Sequence, residues 1–80
     1  PTKETESLIN IKLPQDKDNV RVRVMLKTSS GIKNVHDQVH NKNESPIDVK
    51  VSGTGKGTIY VYFDNQLKIT DEIDFGGDSQ

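Results

Sequence analysis

Two histidines four residues apart, in His36-Asp37-Gln38-Val39-His40, are by type the residues best suited to hold a transition metal or relay a proton. On a helix this spacing puts both imidazoles on one face, with Asp37 where a zinc-helix motif carries its general base. On a strand the pair also shares a face, but four residues of strand span about 13 Å, too far for one ion. The segment is not helical in character and no third ligand is tied to it. It reads as two exposed polar histidines, with no metal.

Four other stretches invite a chemical reading and fail it. Gly53-Thr54-Gly55-Lys56-Gly57-Thr58 looks like the end of a phosphate-binding loop. That motif needs a glycine where Lys50 stands, Ser or Thr where Gly57 stands, and a helix N-terminus downstream to receive the phosphate. The downstream residues Ile59-Tyr60-Val61-Tyr62-Phe63 alternate as a strand, so the glycines belong to a turn and no nucleotide cofactor is implied. The acidic runs Asp16-Lys17-Asp18-Asn19 and Asp71-Glu72-Ile73-Asp74 lack the glycine and distal glutamate of a calcium loop. Asn43-Glu44-Ser45 matches a glycosylation sequon, but Pro46 follows it and such short matches arise by chance. No Ser, His and Asp are set in a nucleophile signature, and no cysteine exists to act as one. What remains is a surface: Arg21, Arg23, Tyr60 and Tyr62, which fall on the outward positions of two strands. Such a face stacks on a sugar ring or docks a partner, or is simply packed across strands.

The elements that carry these residues are strands. Ile9, Ile11 and Leu13 alternate with polar residues over 7–13, and Pro14 ends the run. Val20, Val22, Val24 and Leu26 alternate with Arg21 and Arg23 in the clearest period-two pattern of the chain. Residues 32–39 suggest a weak edge strand whose few apolar residues include Val35 and Val39, and 41–46 a polar loop. Ile47, Val49 and Val51 form the next inward set. Ile59, Val61 and Phe63 follow, with Tyr60 and Tyr62 on the opposite face. Asp64-Asn65-Gln66 marks a tight hairpin because Asn accepts positive φ. Ile69, Ile73 and Phe75 anchor the last strand. Six short strands with turn signals between them predict a small immunoglobulin-like antiparallel β-sandwich over 8–75, with 1–7 as lead-in and 76–80 as a flexible tail.

Composition agrees with the pattern. Of 80 residues none is Ala, Cys or Trp, and 15 Val and Ile stand against 4 Leu and 1 Met. β-Branched side chains favour strands, and an Ala-free chain argues against a helical bundle. Without cysteine there is no disulfide scaffold, thiolate metal site or thiol catalysis. Net charge −1, with acids interrupting the basic residues, speaks against nucleic-acid binding. A chain this small has little room for a deep substrate cavity beside its core. It opens on Pro1 rather than Met, so a module of a longer polypeptide is expected.

The last third, Gly55-Lys56-Gly57-Thr58-Ile59-Tyr60-Val61-Tyr62-Phe63-Asp64-Asn65-Gln66-Leu67 followed by Ile69, Glu72, Ile73 and Phe75, resembles the closing hairpin of a known domain. It is similar to the C-terminal, immunoglobulin-like extracellular domain of bacterial PASTA-type transmembrane serine/threonine kinases. Ile9 to Pro14 and Val20 to Val24 fit the opening strands, while 34–45 has no counterpart and Asn65 replaces a more usual Gly. The resemblance implies a non-catalytic module on the extracellular face of the membrane, in a membrane-anchored, cell-wall-sensing receptor. PASTA repeats of the same chain would adjoin it, with peptidoglycan fragments as ligand and receptor self-association as a further role. It implies no catalytic residue, cofactor or metal here. The alternative is a carbohydrate-binding or spacer sandwich module of a secreted adhesin or glycosidase.

Overall fold

Six antiparallel strands build the fold: β1 (Thr5–Ile11), β2 (Asn19–Thr28), β3 (Gly31–Asn41), β4 (Ile47–Gly53), β5 (Lys56–Phe63) and β6 (Gln66–Asp74). The computed structural model describes residues 5–76. The strands divide into a sheet β1-β4 and a sheet β3-β2-β5-β6. That is the B–E and C′–C–F–G arrangement of an immunoglobulin-like sandwich, with no strand in the A position among the described residues.

The core lies where alternation is strictest. On β2, Val20, Val22, Val24 and Leu26 all turn inward and are sealed from solvent. They lie between β3 on one side and β5 on the other. Ile59 and Val61 of β5 continue this apolar floor, and Ile11, Val49 and Val51 of the two-stranded sheet close it from above. Leu13, just past the end of β1, and Phe75, just past β6, complete it. Gly53 is the counterpart of Phe75: a Cβ there would stand 2.9 Å from the ring, so only glycine lets the aromatic fold over the strand. The β5–β6 hairpin turns on Asp64 and Asn65, both with positive φ as a two-residue type I′ loop requires.

Several expected placements shift. β1 begins at Thr5, inside the expected lead-in, and the strand ends before Leu13. Residues 1–4 and 77–80, the outer parts of the expected lead-in and tail, lie outside the described residues. β3 is the longest strand, and its apolar residues divide between the two faces. Val39 pairs with outward Arg21 and is 64% exposed. A bulge at Val35, marked by the slip between the Val24 and Met25 pairings, turns that residue sideways so that it packs on the core margin. The expected loop after β3 contains a 3₁₀ turn at Lys42–Glu44, capped by the Asn41 side chain. Ile69, expected as an anchor, is 38% exposed. The reason is strand count: two strands cannot roof four. The inner side of β6 and the free edge of β1 therefore border an open groove of about 320 Å³ along Ile9, Ile11, Ile69 and Ile73.

Opposite outcomes are expected for two apolar truncations. Leu26→Ala empties a sealed site and should cost about 2–5 kcal/mol of unfolding free energy. Val39→Ser should stay within about 0.5 kcal/mol. Urea unfolding of both measures this; a large loss in Val39→Ser would place the wrong face of β3 inward.

Candidate functional site

The four-stranded sheet presents to solvent the positions that the core does not use. Cross-strand pairing sets Arg23 beside Tyr62 and Met25 beside Tyr60, with Leu67 and Thr70 of β6 completing the same rows. The Arg23 guanidinium lies 5.9 Å from the centre of the Tyr62 ring, within cation–π range. Leu67 reaches this face through a second bulge, where β6 slips against β5 between Val61 and Tyr62. That extra residue lets Leu67 point outward while Ile69, two positions on, points inward. Arg23, Tyr60 and Tyr62 thus form one half-buried row system flanked by exposed Leu67.

Arg21 stands apart from them. Its Nε donates to Asp37 Oδ1 and its Nη2 to Oδ2, both at 2.8 Å, a bidentate pair across β2 and β3. The Arg21 hydrogen bonds hold the Asp37 carboxyl below its ordinary range. Asp37 Oδ2 also lies 3.9 Å from Arg23 Nε, which is shut off from solvent and makes no hydrogen bond. Of the four expected surface residues, then, three stand together and the fourth is engaged by Asp37. Met25, Asp37 and Leu67 belong to the same face, though sequence alone assigns none of them to it. Met25 and Leu67 were hidden by ordinary apolar identity, and Asp37 by its place between two histidines.

The histidines contradict the expectation of exposed, separated side chains. His36 and His40 project from β3 toward the core side, opposite Val24 and Val20. His40 is only 9% exposed. The two Nε2 atoms lie 2.8 Å apart, with ring centres 5.0 Å apart and planes 13° from parallel. A centroid separation nearly twice the nitrogen distance sets the rings end to end rather than face to face, joined by one N–H···N bond. Four residues of strand separate the two backbone positions by about 13 Å, and the two imidazoles lean toward each other across Gln38 to bridge that distance. The twist a bulge adds at Val35 acts next to His36.

Glu44 fixes the proton positions. Its Oε1 is 2.7 Å from His40 Nδ1, and its Oε2 accepts the Asn41 backbone N–H at 2.8 Å. A carboxylate only accepts, so His40 carries its proton on Nδ1 and, when neutral, offers a lone pair at Nε2. His36 Nε2 is then the donor. Burial, followed by the neighbouring His40, pushes the His36 pKa down, while the His40 hydrogen bond pulls that of Glu44 down. Glu44 sits in the 3₁₀ turn Lys42–Glu44, inside the segment whose polarity predicts a loop. The Asn41-x-x-Glu44 capping-box spacing was the signal that could have placed it.

The glycine-rich segment 53–58 connects β4 to β5 and leads into a strand, which leaves it without a helix end for phosphate. Compared with known protein families, curated proteins and solved structures, the chain finds no match.

Asp64 ties the hairpin to this sheet. Its Oδ1 accepts the Arg21 backbone N–H at 3.0 Å and its Oδ2 accepts Lys17 Nζ at 2.9 Å. The Arg21 N–H, then Lys17, lower its pKa from the ordinary 3.8. A carboxyl depressed by folding binds fewer protons than in the unfolded chain, so its contribution is present above pH 3.8 and lost as pH falls through the folded value. Asp64→Asn keeps an acceptor and tolerates positive φ, but does not titrate. Urea midpoints taken from about pH 7 to pH 2 should fall more steeply below pH 4 in the parent than in the variant. Parallel curves would remove Asp64 from the acid response.

Proposed function

We propose that this chain is a non-catalytic extracellular module of a cell-wall-sensing, membrane-anchored bacterial serine/threonine kinase of the PASTA type. In this reading the outer face of β3-β2-β5-β6 is its contact surface. One observation carries it. Arg23, Met25, Tyr60, Tyr62 and Leu67 share the face that the sandwich leaves uncovered. The core on the opposite side depends on none of them. Half-buried tyrosines beside a guanidinium give a flat, amphipathic platform suited to the sugar rings and short acidic stems of peptidoglycan fragments. The sequence resemblance along Leu8 to Phe75 supplies the receptor context, with neighbouring PASTA repeats of the same polypeptide on its N-terminal side. The catalytic role falls to the kinase portion of such a receptor.

Chemical-shift titration with muropeptides tests the reading. Shifts at millimolar ligand should concentrate on Arg23, Met25, Tyr60 and Tyr62, and disappear in the Tyr60→Ser/Tyr62→Ser double variant. That variant should keep a cooperative unfolding transition, because both rings lie outside the core. Shifts produced equally by plain β-glucan oligosaccharides would favour the carbohydrate-binding module of an adhesin or glycosidase. An unmoved spectrum with both ligands would leave the face without a glycan role.

A further inference from the structure

We propose that the Nε2 atoms of His36 and His40 form a two-histidine site for a divalent transition cation of the zinc and copper class, with Glu44 as the positioning carboxylate. The site lies on the core side of β3, away from the Arg23–Tyr62 face, and its success or failure is independent of the receptor reading.

Three features point to a metal. First, two imidazole nitrogens aim at one point between them, 2.8 Å apart, and the rings are nearly coplanar about that axis. A single proton fills the space, and a cation that prefers nitrogen ligands replaces it. Second, His40 gives its other ring proton to a carboxylate, at 2.7 Å. That is the outer-shell arrangement which fixes the tautomer of a ligating histidine and raises its basicity. Third, Glu44 is itself clamped by the Asn41 N–H and the 3₁₀ turn, so the His40 lone pair is aimed before any ion arrives.

The change needed is a swing of one ring. With each metal–nitrogen bond at about 2.0–2.1 Å and a tetrahedral angle, the nitrogens sit roughly 3.3 Å apart. The two ring axes lie nearly in line, so with His40 held by Glu44 the His36 Nε2 must swing sideways by roughly 2 Å, which rotation of its partly exposed side chain supplies. The proton that His36 carries on Nε2 moves to its Nδ1, so no group is lost and the charge added is that of the ion. Among the described residues no set of three or more His, Cys, Asp or Glu gathers around an ion. Water therefore completes the coordination, entering on the His36 side, and the site is an open one. Calcium and magnesium, which favour oxygen, are not its ligands.

The whole chain contains two histidines and no cysteine, so an imidazole-bound ion has nowhere else to go. The experiment titrates zinc chloride, and separately copper sulfate, into the 80-residue chain at near-neutral pH in a non-coordinating buffer. Calorimetry follows binding and histidine ring-nitrogen NMR follows zinc. One equivalent should bind, with both Nε2 resonances shifting and His36 switching to the Nδ1–H tautomer. His36→Gln should weaken binding at least tenfold, and Glu44→Gln, which keeps both ligands, by about 10–100-fold. Absence of saturation up to millimolar metal would overturn the site. So would His36→Gln binding within twofold of the parent, or a Glu44→Gln variant that folds and binds unchanged.

Discussion

The fold depends on one face of β2. Val20, Val22, Val24 and Leu26 are sealed from solvent, and every other element is arranged around keeping them so. β3 and β5 flank them in the sheet, and β1 and β4 cover them from the other layer. At about 25 cal/mol per Å² of apolar surface, four aliphatic side chains removed from water in a chain this short are a large share of the driving force. A single register slip would turn the valines to solvent and Arg21 and Arg23 into the core, so the pairing of β2 has no near competitor.

The imbalance between two strands and four explains where apolar coverage ends. The roof protects β2 and β5 but leaves both flanks of the larger sheet thin. On the β6 side the consequence is an apolar groove with Ile69 half in water. On the β3 side the chain solves the same problem with polarity. His36, Gln38 and His40 occupy the core-facing positions, and the two histidines satisfy each other and Glu44 instead of packing as hydrocarbon. A buried imidazole without partners would be costly, and this arrangement leaves His40 with a partner at each nitrogen.

The solvent side of the sheet has its own order. Arg21 and Asp37 hold β2 to β3, Arg23 covers Tyr62, and Asp64 fastens the hairpin to the start of β2. Two bulges, at Val35 and beside Leu67, decide which side chains join that face. The proposed platform of Arg23, Met25, Tyr60 and Tyr62 is thus positioned by core registers and trimmed by bulges, while the histidine site is positioned by the 3₁₀ turn at the opposite face.

Alternation alone made most of the architecture readable: the inward faces of β1, β2, β4 and β5, the turn at Asp64 and Asn65, and the outward direction of Tyr60, Tyr62 and Arg23. These are local consequences of period two and of residues that accept positive φ. β3 was not readable this way, because a bulge resets its phase and its core-facing residues are polar. Nor was the histidine contact, since spacing along a strand measures backbone and not the reach of two leaning rings. The pairing of Arg21 with Asp37 and the arrival of Leu67 beside Tyr62 likewise require knowing which strands are neighbours and where they slip. The order of residues along the chain therefore determined which faces are apolar. Only the assembled sheets decided which polar groups meet, because those contacts join strands distant in sequence and depend on single-residue shifts of register.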